Sequence, residues 1–247
     1  MLTHYLQDKV LSICIYEEGF EYCKIINKKP TSIKYFNLEA KNTTHFFEQF
    51  SEIILKEVFN EQFDLVDLNF VSKQFSLIPD EYFDGKLIRD IYSHSTFYTM
   101  YDALRYNNIS AGIKVVYKYS DDIEFFLQKK FSNIRIVHSS FRTVENIISQ
   151  QIDGLFLVLH QNTVEFLLID GLKLKLYTIE EYASNKEIWY HINNIFNQLQ
   201  TRKTVYLTGN NNKVTTKLLF LNGKGLDARR LYNDIQLSDL FPFIYFN

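Results

Sequence analysis

The sequence is poor in the residues that interrupt or cross-link a chain. It has three prolines, eight glycines and two cysteines in 247 residues. This composition lacks a flexible linker, so we expect closely joined lobes that meet near Ser149–Asp153. Two cysteines are too few for a disulfide-rich secreted scaffold. No His or Cys lies at zinc-finger spacing from them, so the sequence does not indicate a metal site.

An excess of one charge and long apolar runs are missing too. The 27 basic and 29 acidic residues give a net charge of −2, and the basic residues are scattered. Without a basic stripe, we expect no nucleic-acid partner. No apolar run approaches the ~20 residues needed to span a bilayer, and the short, charged start lacks a signal-peptide profile. We therefore expect a cytoplasmic protein with no membrane span.

Apolar side chains, by contrast, are plentiful. They make up 46% of the residues, which predicts a globular protein with a sizeable core. The 22 Phe and 17 Tyr suggest an interaction surface at first sight. Phe, Tyr, Ile, Lys and Asn all have AT-rich codons, however, so a compositional bias of the genome explains most of this excess.

One order of elements occurs twice, about 142 residues apart. Each copy has three short strands, a helix and another strand, indicated by alternating apolar residues, turn residues and capping residues. The first copy comprises strands Val10–Tyr16, Phe20–Ile26 and Ser32–Leu38, a helix capped at Asn42-Thr43-Thr44, and strand Leu65–Val71. The second comprises strands Leu155–His160, Thr163–Ile169 and Leu172–Tyr177, a helix starting at Ser184 and Glu187, and strand Thr204–Thr208. The residues match in pattern rather than identity, so we predict an internal duplication.

The segment between the copies is predicted as alternating helices and strands. We expect a mostly helical stretch over Phe83–Tyr106, strands Ile113–Tyr119 and Ile134–Val137, and helices Asp122–Lys130 and Thr143–Ser149. After the second copy, we expect a strand at Lys217–Leu221 and short helices over Leu226–Leu240.

The two cysteines flank the first hairpin. If Glu18-Gly19 form a two-residue loop, Cys14 faces Cys23 at bridging distance. A three-residue loop that ends in a glycine bulge separates the pair. A reducing cytoplasm favours two buried thiols in either case.

A β-β-β-α-β unit used twice resembles the actin, sugar-kinase and heat-shock-chaperone superfamily. The layout also resembles an uncharacterised bacterial family, known mainly from Bacteroidetes, with a degenerate version of that fold. The resemblance implies a mixed α/β (α+β) protein built from two ribonuclease H-like units, the actin-like ATPase fold. Its two lobes would be residues 1–150, which include the extra middle segment, and residues 151–247.

Enzymes of that superfamily hold ATP phosphates with two Gly-rich hairpins, where backbone amides approach the phosphate oxygens. This chain departs from the pattern in both hairpins and in the adenosine-contacting turn. The first hairpin has one glycine and two glutamates, the second has no glycine or aspartate, and one glycine remains at Leu207-Thr208-Gly209-Asn210. The vestiges of the site are Glu17, Gly19, Thr163, Gly209 and Asn210.

Other polar residues give weaker signals. His160 ends a predicted strand and has no positioned partner in the sequence, so we interpret it as a surface turn histidine. Asp121-Asp122 is typical of a helix N-terminus rather than of a carboxylate pair for hydrolysis. Gly223-Lys224-Gly225 lacks the remaining residues of a P-loop and is interpreted as a polar turn before a short helix at Leu226–Tyr232.

Two functions remain open. The first is a non-catalytic protein-binding or scaffolding module that has lost its phosphate loops, with an unidentified protein partner, no cofactor and a possible homo-oligomer. The second is a divergent ATP-dependent phosphotransferase or ATPase, with magnesium, in which Glu17 and Thr163 are replacement ligands and Gly209 lies near the base.

Overall fold

The computed structural model describes most of the chain up to residue 209. The described residues are 9–27, 29–31, 33–38, 42–96, 99, 102–109, 112–149, 151–160, 163–171, 173–198, 204–209 and 228–230. The chain divides into two compact units between Arg142 and Thr143. The predicted lobe boundary at residues 150 and 151 stays a prediction.

The first unit is built on a six-stranded mixed sheet. Its strands are β1 (Lys9–Tyr16), β2 (Gly19–Ile26), β3 (Lys29–Pro30), β4 (Lys34–Asn37), β5 (Leu65–Phe70) and, later in the chain, β9 (Ile134–His138). The order is β3-β2-β1-β5-β9, and β4 also pairs with β2. β1 and β2 are antiparallel, whereas β5 lies parallel to both β1 and β9.

The first unit also contains a smaller antiparallel sheet from the middle segment. Its strands are β6 (Phe75–Pro79), β7 (Ala103–Ile109) and β8 (Ile113–Tyr119), in the order β6-β8-β7. The prediction of a mostly helical Phe83–Tyr106 is wrong, since the one α-helix described there is α2 (Ile88–Ser95). Two 3₁₀ turns precede α2, and residues 103–106 pair with β8 instead. Pairing across the β7–β8 hairpin, with Gly112 at a φ of 73°, overrides the helical spacing.

The second unit repeats the strand order of the first large sheet. Its strands are β10 (Gly154–Leu159), β11 (Thr163–Asp170), β12 (Lys173–Glu181), β13 (Val205–Gly209) and β14 (Ala228–Arg230). The order is β12-β11-β10-β13-β14, with β13 parallel to both β10 and β14. The predicted helix at Leu226–Tyr232 is therefore wrong at residues 228–230, which extend the sheet. The rest of that segment and the predicted strand at Lys217–Leu221 lie outside the described residues.

The predicted caps mark the starts of the first and last helices, whereas the helix predicted from Thr143 begins four residues earlier, at Ser139. They are α1 (Thr43–Glu57), α2, α3 (Asp121–Gln128), α4 (Ser139–Ser149) and α5 (Asn185–Gln198). The Asn42 side chain accepts a hydrogen bond from the His45 amide at 2.8 Å, and Ser120 caps α3 in the same way. At α5, the Glu187 carboxylate accepts from the Ala183 amide at 2.8 Å. Each cap satisfies an amide that the helix itself leaves without a partner.

The packed faces follow the apolar periodicity. In the first unit, Phe50 of α1 packs edge-on against Phe20 of β2, with ring centroids 4.9 Å apart. In the second unit, one apolar core joins β10, β11 and α5 through these buried residues: Leu155, Leu157, Leu159, Val164, Phe166, Leu168, Ile188, Ile192, Ile195 and Phe196. Leu199, predicted for the same helix face, lies outside the described residues.

The first hairpin turns one residue earlier than the predicted two-residue loop, and its turn is one residue shorter than the predicted three-residue loop. Tyr16 pairs with Gly19, so Glu17 and Glu18 form the two-residue turn. In this register Cys14 faces Glu21 and not Cys23. Both cysteines are buried thiols. The directly opposed pair required for a bridge is therefore not formed.

Candidate functional site

The two hairpins that would carry the phosphate loops are equivalent in the structure. β1 and β2 close at Tyr16 and Gly19, and β10 and β11 close where the His160 amide donates to the Thr163 carbonyl at 2.9 Å. Equivalent residues differ by 144 in number, since 160 − 16 and 163 − 19 are equal. The same offset relates Glu21 to Glu165 and reveals a shared polar arrangement.

Carboxylates occupy the first hairpin both in its turn and behind it. Glu17 and Glu18 are exposed in the turn, whereas Glu21 is only 5% exposed. The hydroxyl of Tyr16, the last residue of β1, donates to the Glu21 carboxylate. Burial, together with the carboxylates of Glu18 and Glu21, raises the pKa of Tyr35, whose ring centroid lies 6.4 Å from that of Tyr16. The surroundings of this turn are therefore acidic.

Gly19 is explained by strand packing. A Cβ built on Gly19 would overlap the carbonyl oxygen of Phe36 and lie 3.2 Å from Cα of Asn37. Both residues belong to β4, which pairs with β2 at this point. The glycine thus admits a neighbouring strand, and its presence does not require a ligand.

The second hairpin contains a buried hydrogen-bonded group of three side chains. His160 is 3% exposed and its Nε2 lies 2.6 Å from Glu165 Oε1, while Glu165 itself is fully buried. The Tyr177 hydroxyl donates to Glu165 Oε2 at 2.7 Å. Tyr182 adds a hydrogen bond to the main-chain carbonyl of His160 at 2.6 Å. The interpretation of His160 as a surface turn histidine is wrong, because Glu165 supplies a partner five residues later.

The structure places two of the remaining vestigial residues in the second unit. Thr163 begins β11, and its buried Oγ1 has no hydrogen-bond partner in the structure. Gly209 ends β13, where it pairs with Leu159 of β10. Asn210 lies outside the described residues. Glu17 and Gly19 belong to the other unit.

Sequence reasoning missed Glu21 and Glu165, although a signal exists. Each glutamate lies inside an apolar strand, in the runs Gly-Phe-Glu-Tyr-Cys and Thr-Val-Glu-Phe-Leu, two residues after the first residue of that strand. A charged residue at such a buried position requires a hydrogen-bond partner. Tyr16 and His160 are those partners, and each is the last residue before its turn.

The described part of the chain shows neither a metal centre nor a membrane-spanning helix. No group of three or more His, Cys, Asp or Glu side chains is arranged to hold a metal ion in that part of the chain. None of the helices described has both the length and the apolar character needed to cross a membrane.

Comparison with known proteins identifies the fold. A Bacteroides thetaiotaomicron protein of unknown function with an actin-like ATPase fold is 14% identical, covers 96% of both chains and superposes with a TM-score of 0.75. The PilM-PilN type IV pilus biogenesis complex matches at 11% identity over 94% of each chain, with a TM-score of 0.56. The ethanolamine utilization protein EutJ from Carboxydothermus hydrogenoformans matches at 6% identity, 93% and 87% coverage and a TM-score of 0.53.

The protein therefore has the actin-like ATPase fold, as the resemblance implied. A comparison with curated proteins found no match. A family model described as "Protein of unknown function (DUF3822)" matches residues 2–220. The chain belongs to this family, DUF3822, whose function is unknown.

Proposed function

We propose that this protein is a non-catalytic, protein-binding or scaffolding member of the actin-like fold that does not hold ATP phosphates at its two hairpins. The observation that carries the proposal is the pair of buried glutamates, Glu21 and Glu165, one behind each turn. Each is hydrogen-bonded to the last residue before its turn, Tyr16 or His160. The nucleotide of the superfamily therefore does not fit the residues present.

Electrostatics oppose a phosphate at the first hairpin. Two like unit charges about 4 Å apart repel by ~4 kcal/mol at an effective dielectric constant of 20. ATP would bring several negative charges towards Glu17 and Glu18, with Glu21 behind them. An aspartate in such a loop acts by holding magnesium, but its neighbours must then supply amides for the phosphates. Here both neighbours in the turn carry carboxylates.

The backbone supplies few donors to offset this repulsion. The ladder of β1 and β2 continues to the pair Tyr16 and Gly19, so only the two turn residues lie beyond it. Gly19, the glycine that would let a phosphate approach, faces β4 closely. A phosphate at this turn would have to displace strand pairing to gain further amides.

The proposal of a scaffolding role is supported by another protein with this fold. PilM, which has this fold, occurs in a type IV pilus biogenesis complex with PilN. A fold of two units offers a large protein surface even when it holds no nucleotide. We extend this use to the present chain, with a protein partner and without a cofactor.

Thermal unfolding with and without Mg-ATP tests the nucleotide half. A ligand at ~100 times its dissociation constant stabilises the native state by about 2.7 kcal/mol, a rise of a few degrees for a chain of this size. We expect the Tm to stay unchanged from micromolar to millimolar Mg-ATP, with magnesium alone as the control. A magnesium-dependent rise that disappears in Glu17→Ala or Thr163→Ala would overturn the proposal in favour of the divergent ATPase.

Affinity capture from the source cells tests the scaffolding half. A partner held by a nucleotide-independent scaffold should remain bound after apyrase removes ATP and ADP from the lysate. Release of every specific partner by apyrase, and its return with Mg-ATP, would contradict this part of the proposal. A cysteine-blocked sample serves as the control for capture through oxidised thiols.

A further inference from the structure

One face of the first large sheet is both buried and polar. Side chains alternate between faces along a strand, so Ser12 of β1 shares a face with Asp67 and Asn69 of β5. Ser12 is paired with Asp67 and Cys14 with Asn69 in the parallel register. Ser12, Asp67 and Asn69 are 0%, 3% and 1% exposed. A hydroxyl, a carboxylate and an amide are thus enclosed together on neighbouring strands.

The carboxylate of Asp67 on this face is paired within the protein. Asp67 Oδ1 accepts from Arg135 Nε of β9 at 2.7 Å and from Arg142 Nη2 of α4 at 2.5 Å. Two guanidinium groups therefore contact the Asp67 carboxylate, which leaves no unpaired negative charge there to attract a cation.

Two neighbouring oxygen atoms, in contrast, lack partners. Ser12 Oγ and Asn69 Oδ1 are buried and make no hydrogen bond in the structure. The amide nitrogen of Asn69 lies 3.5 Å from the carbonyl oxygens of Ile13 and Asp67, which fixes the side-chain oxygen on the opposite side of the amide. Leaving such a buried group unsatisfied is costly, and ordered water is the usual remedy.

The second sheet provides an internal comparison. With the offset of 144, Ser12 corresponds to Phe156, and Tyr206 is the strand partner of Phe156 as Asp67 is of Ser12. The Phe156 and Tyr206 rings stack with centroids 4.8 Å apart and an interplanar angle of 14°. Aromatic rings fill this position in one sheet, whereas the other sheet has two short polar side chains.

We propose that an ordered water molecule occupies this place in the first sheet and bridges Ser12 Oγ and Asn69 Oδ1. A water molecule can donate one proton to the amide oxygen, which only accepts, and exchange a second hydrogen bond with the hydroxyl. Ser12 and Asn69 lie on one face of neighbouring strands, two residues apart in register, so one water can bridge their side-chain oxygens. The guest is not a cation, because the Asp67 carboxylate already has two guanidinium partners.

Crystallography of the intact protein at about 1.5 Å resolution tests the site directly. We expect one well-ordered water within 2.6–3.2 Å of both Ser12 Oγ and Asn69 Oδ1. A dry site, a rotated side chain that satisfies either oxygen within the protein, or separate waters on the two atoms would overturn the proposal. An ion or organic molecule in that density would overturn it as well.

A double-mutant cycle in urea provides a second readout. Ser12→Ala and Asn69→Leu should each lower the unfolding equilibrium constant, because each leaves the water and the other oxygen short of a partner. The double variant removes both oxygens that need the water. Its fold loss in the unfolding equilibrium constant should therefore be at least about threefold smaller than the product of the two single-variant losses.

Thr163→Val supplies the matched control for this cycle. Its Oγ1 is also buried without a partner, but it lies at the start of β11 in the second unit. Ser12→Ala combined with Thr163→Val should therefore show multiplicative losses. If the losses combined in the same way in both pairs of variants, the proposal of a bridging water would be overturned.

Discussion

At the scale of single residues, the packing of neighbouring strands explains the glycine of the first hairpin without any ligand. Gly19 is the one glycine of this turn, and the carbonyl of Phe36 lies where a side chain would begin. The hydrogen bond from the Tyr16 hydroxyl to Glu21 joins the two strands next to the turn. A residue type that resembles part of a phosphate loop can thus be required by β-sheet packing alone.

Replacing Gly19 by alanine should destabilise the protein by about 1–3 kcal/mol, the usual cost of forcing extra volume into a packed site. The added Cβ would push β4 away from β2, because the obstructing atom belongs to the main chain. Urea unfolding measures the loss. Gly85→Ala is the control, since its Cβ would meet only Phe83 Cε1 at 3.8 Å. Equal stability of the Gly19→Ala variant and the wild type would contradict this account of the glycine.

Cys23 should make stability fall at alkaline pH. Burial raises the pKa of its thiol from 9.0 to about 11, so the folded state holds the proton more tightly than the unfolded state. The stabilising contribution is complete below pH 9 and is lost as the pH rises through 11, a change of roughly 2–3 kcal/mol.

Urea unfolding of the wild type and of Cys23→Ala between pH 8 and pH 11.5 measures this effect. The free energy of unfolding should fall more steeply in the wild type, whereas the tyrosines titrate in both proteins. Parallel pH profiles would show that the thiol of Cys23 does not titrate differently in the folded and unfolded states.

At the scale of elements, helix starts depend on single side-chain caps. Asn42→Ala should cost about 0.5–2 kcal/mol, because the His45 amide loses its acceptor at the start of α1. Asn42→Asp is the control, as it keeps the acceptor and places a negative charge at the positive end of the helix dipole. Urea unfolding of both variants measures the difference. If Asn42→Asp lost as much stability as Asn42→Ala, the hydrogen bond to His45 would not be the source of the effect.

The elements that could be predicted from the sequence are those with local signals. The caps at Asn42 and at Ser184 with Glu187 depend on residues three apart, and the strand Ile113–Tyr119 depends on its own alternation. The prediction of a mostly helical Phe83–Tyr106 failed because β7 is formed through its pairing with β8. β14 likewise depends on β13, about twenty residues earlier. Pairing between strands that are distant in sequence does not alter the spacing of apolar residues in either strand, so this spacing cannot predict it.

The candidate site could be predicted only in part, for the same reason. The turn residues Glu17 and Glu18 are visible as a departure from a glycine-rich loop. The role of Gly19 depends on β4, which joins the sheet eighteen residues later. His160 and Glu165 form a pair only once the hairpin register is known. At the first hairpin, a loop one residue earlier than Glu18-Gly19 changes the strand pairing by two residues, so Cys14 faces Glu21 instead of Cys23.

At the scale of the whole molecule, two sheets with one strand order are joined by a continuous helix. α4 extends over Ser139–Ser149, whereas the division into units falls within it, after Arg142. Arg142 is tied to the buried Asp67 on one side of the division, and Val144 and Ile147 are buried on the other. Unfolding one unit alone would expose these residues or break the helix between them.

We therefore expect the two units to unfold together, and the chain contains its own reporters for a test. Trp189, the one tryptophan, packs against the core of the second unit, while both cysteines lie in the first. Tryptophan fluorescence and pulsed thiol labelling across a urea gradient should give midpoints that agree within ~0.2 M. Arg142→Ala should lower both midpoints equally, since it leaves the Asp67 carboxylate short of a partner. A fluorescence transition that is complete while the thiols are still protected would mean that the first unit stays folded after the second has unfolded.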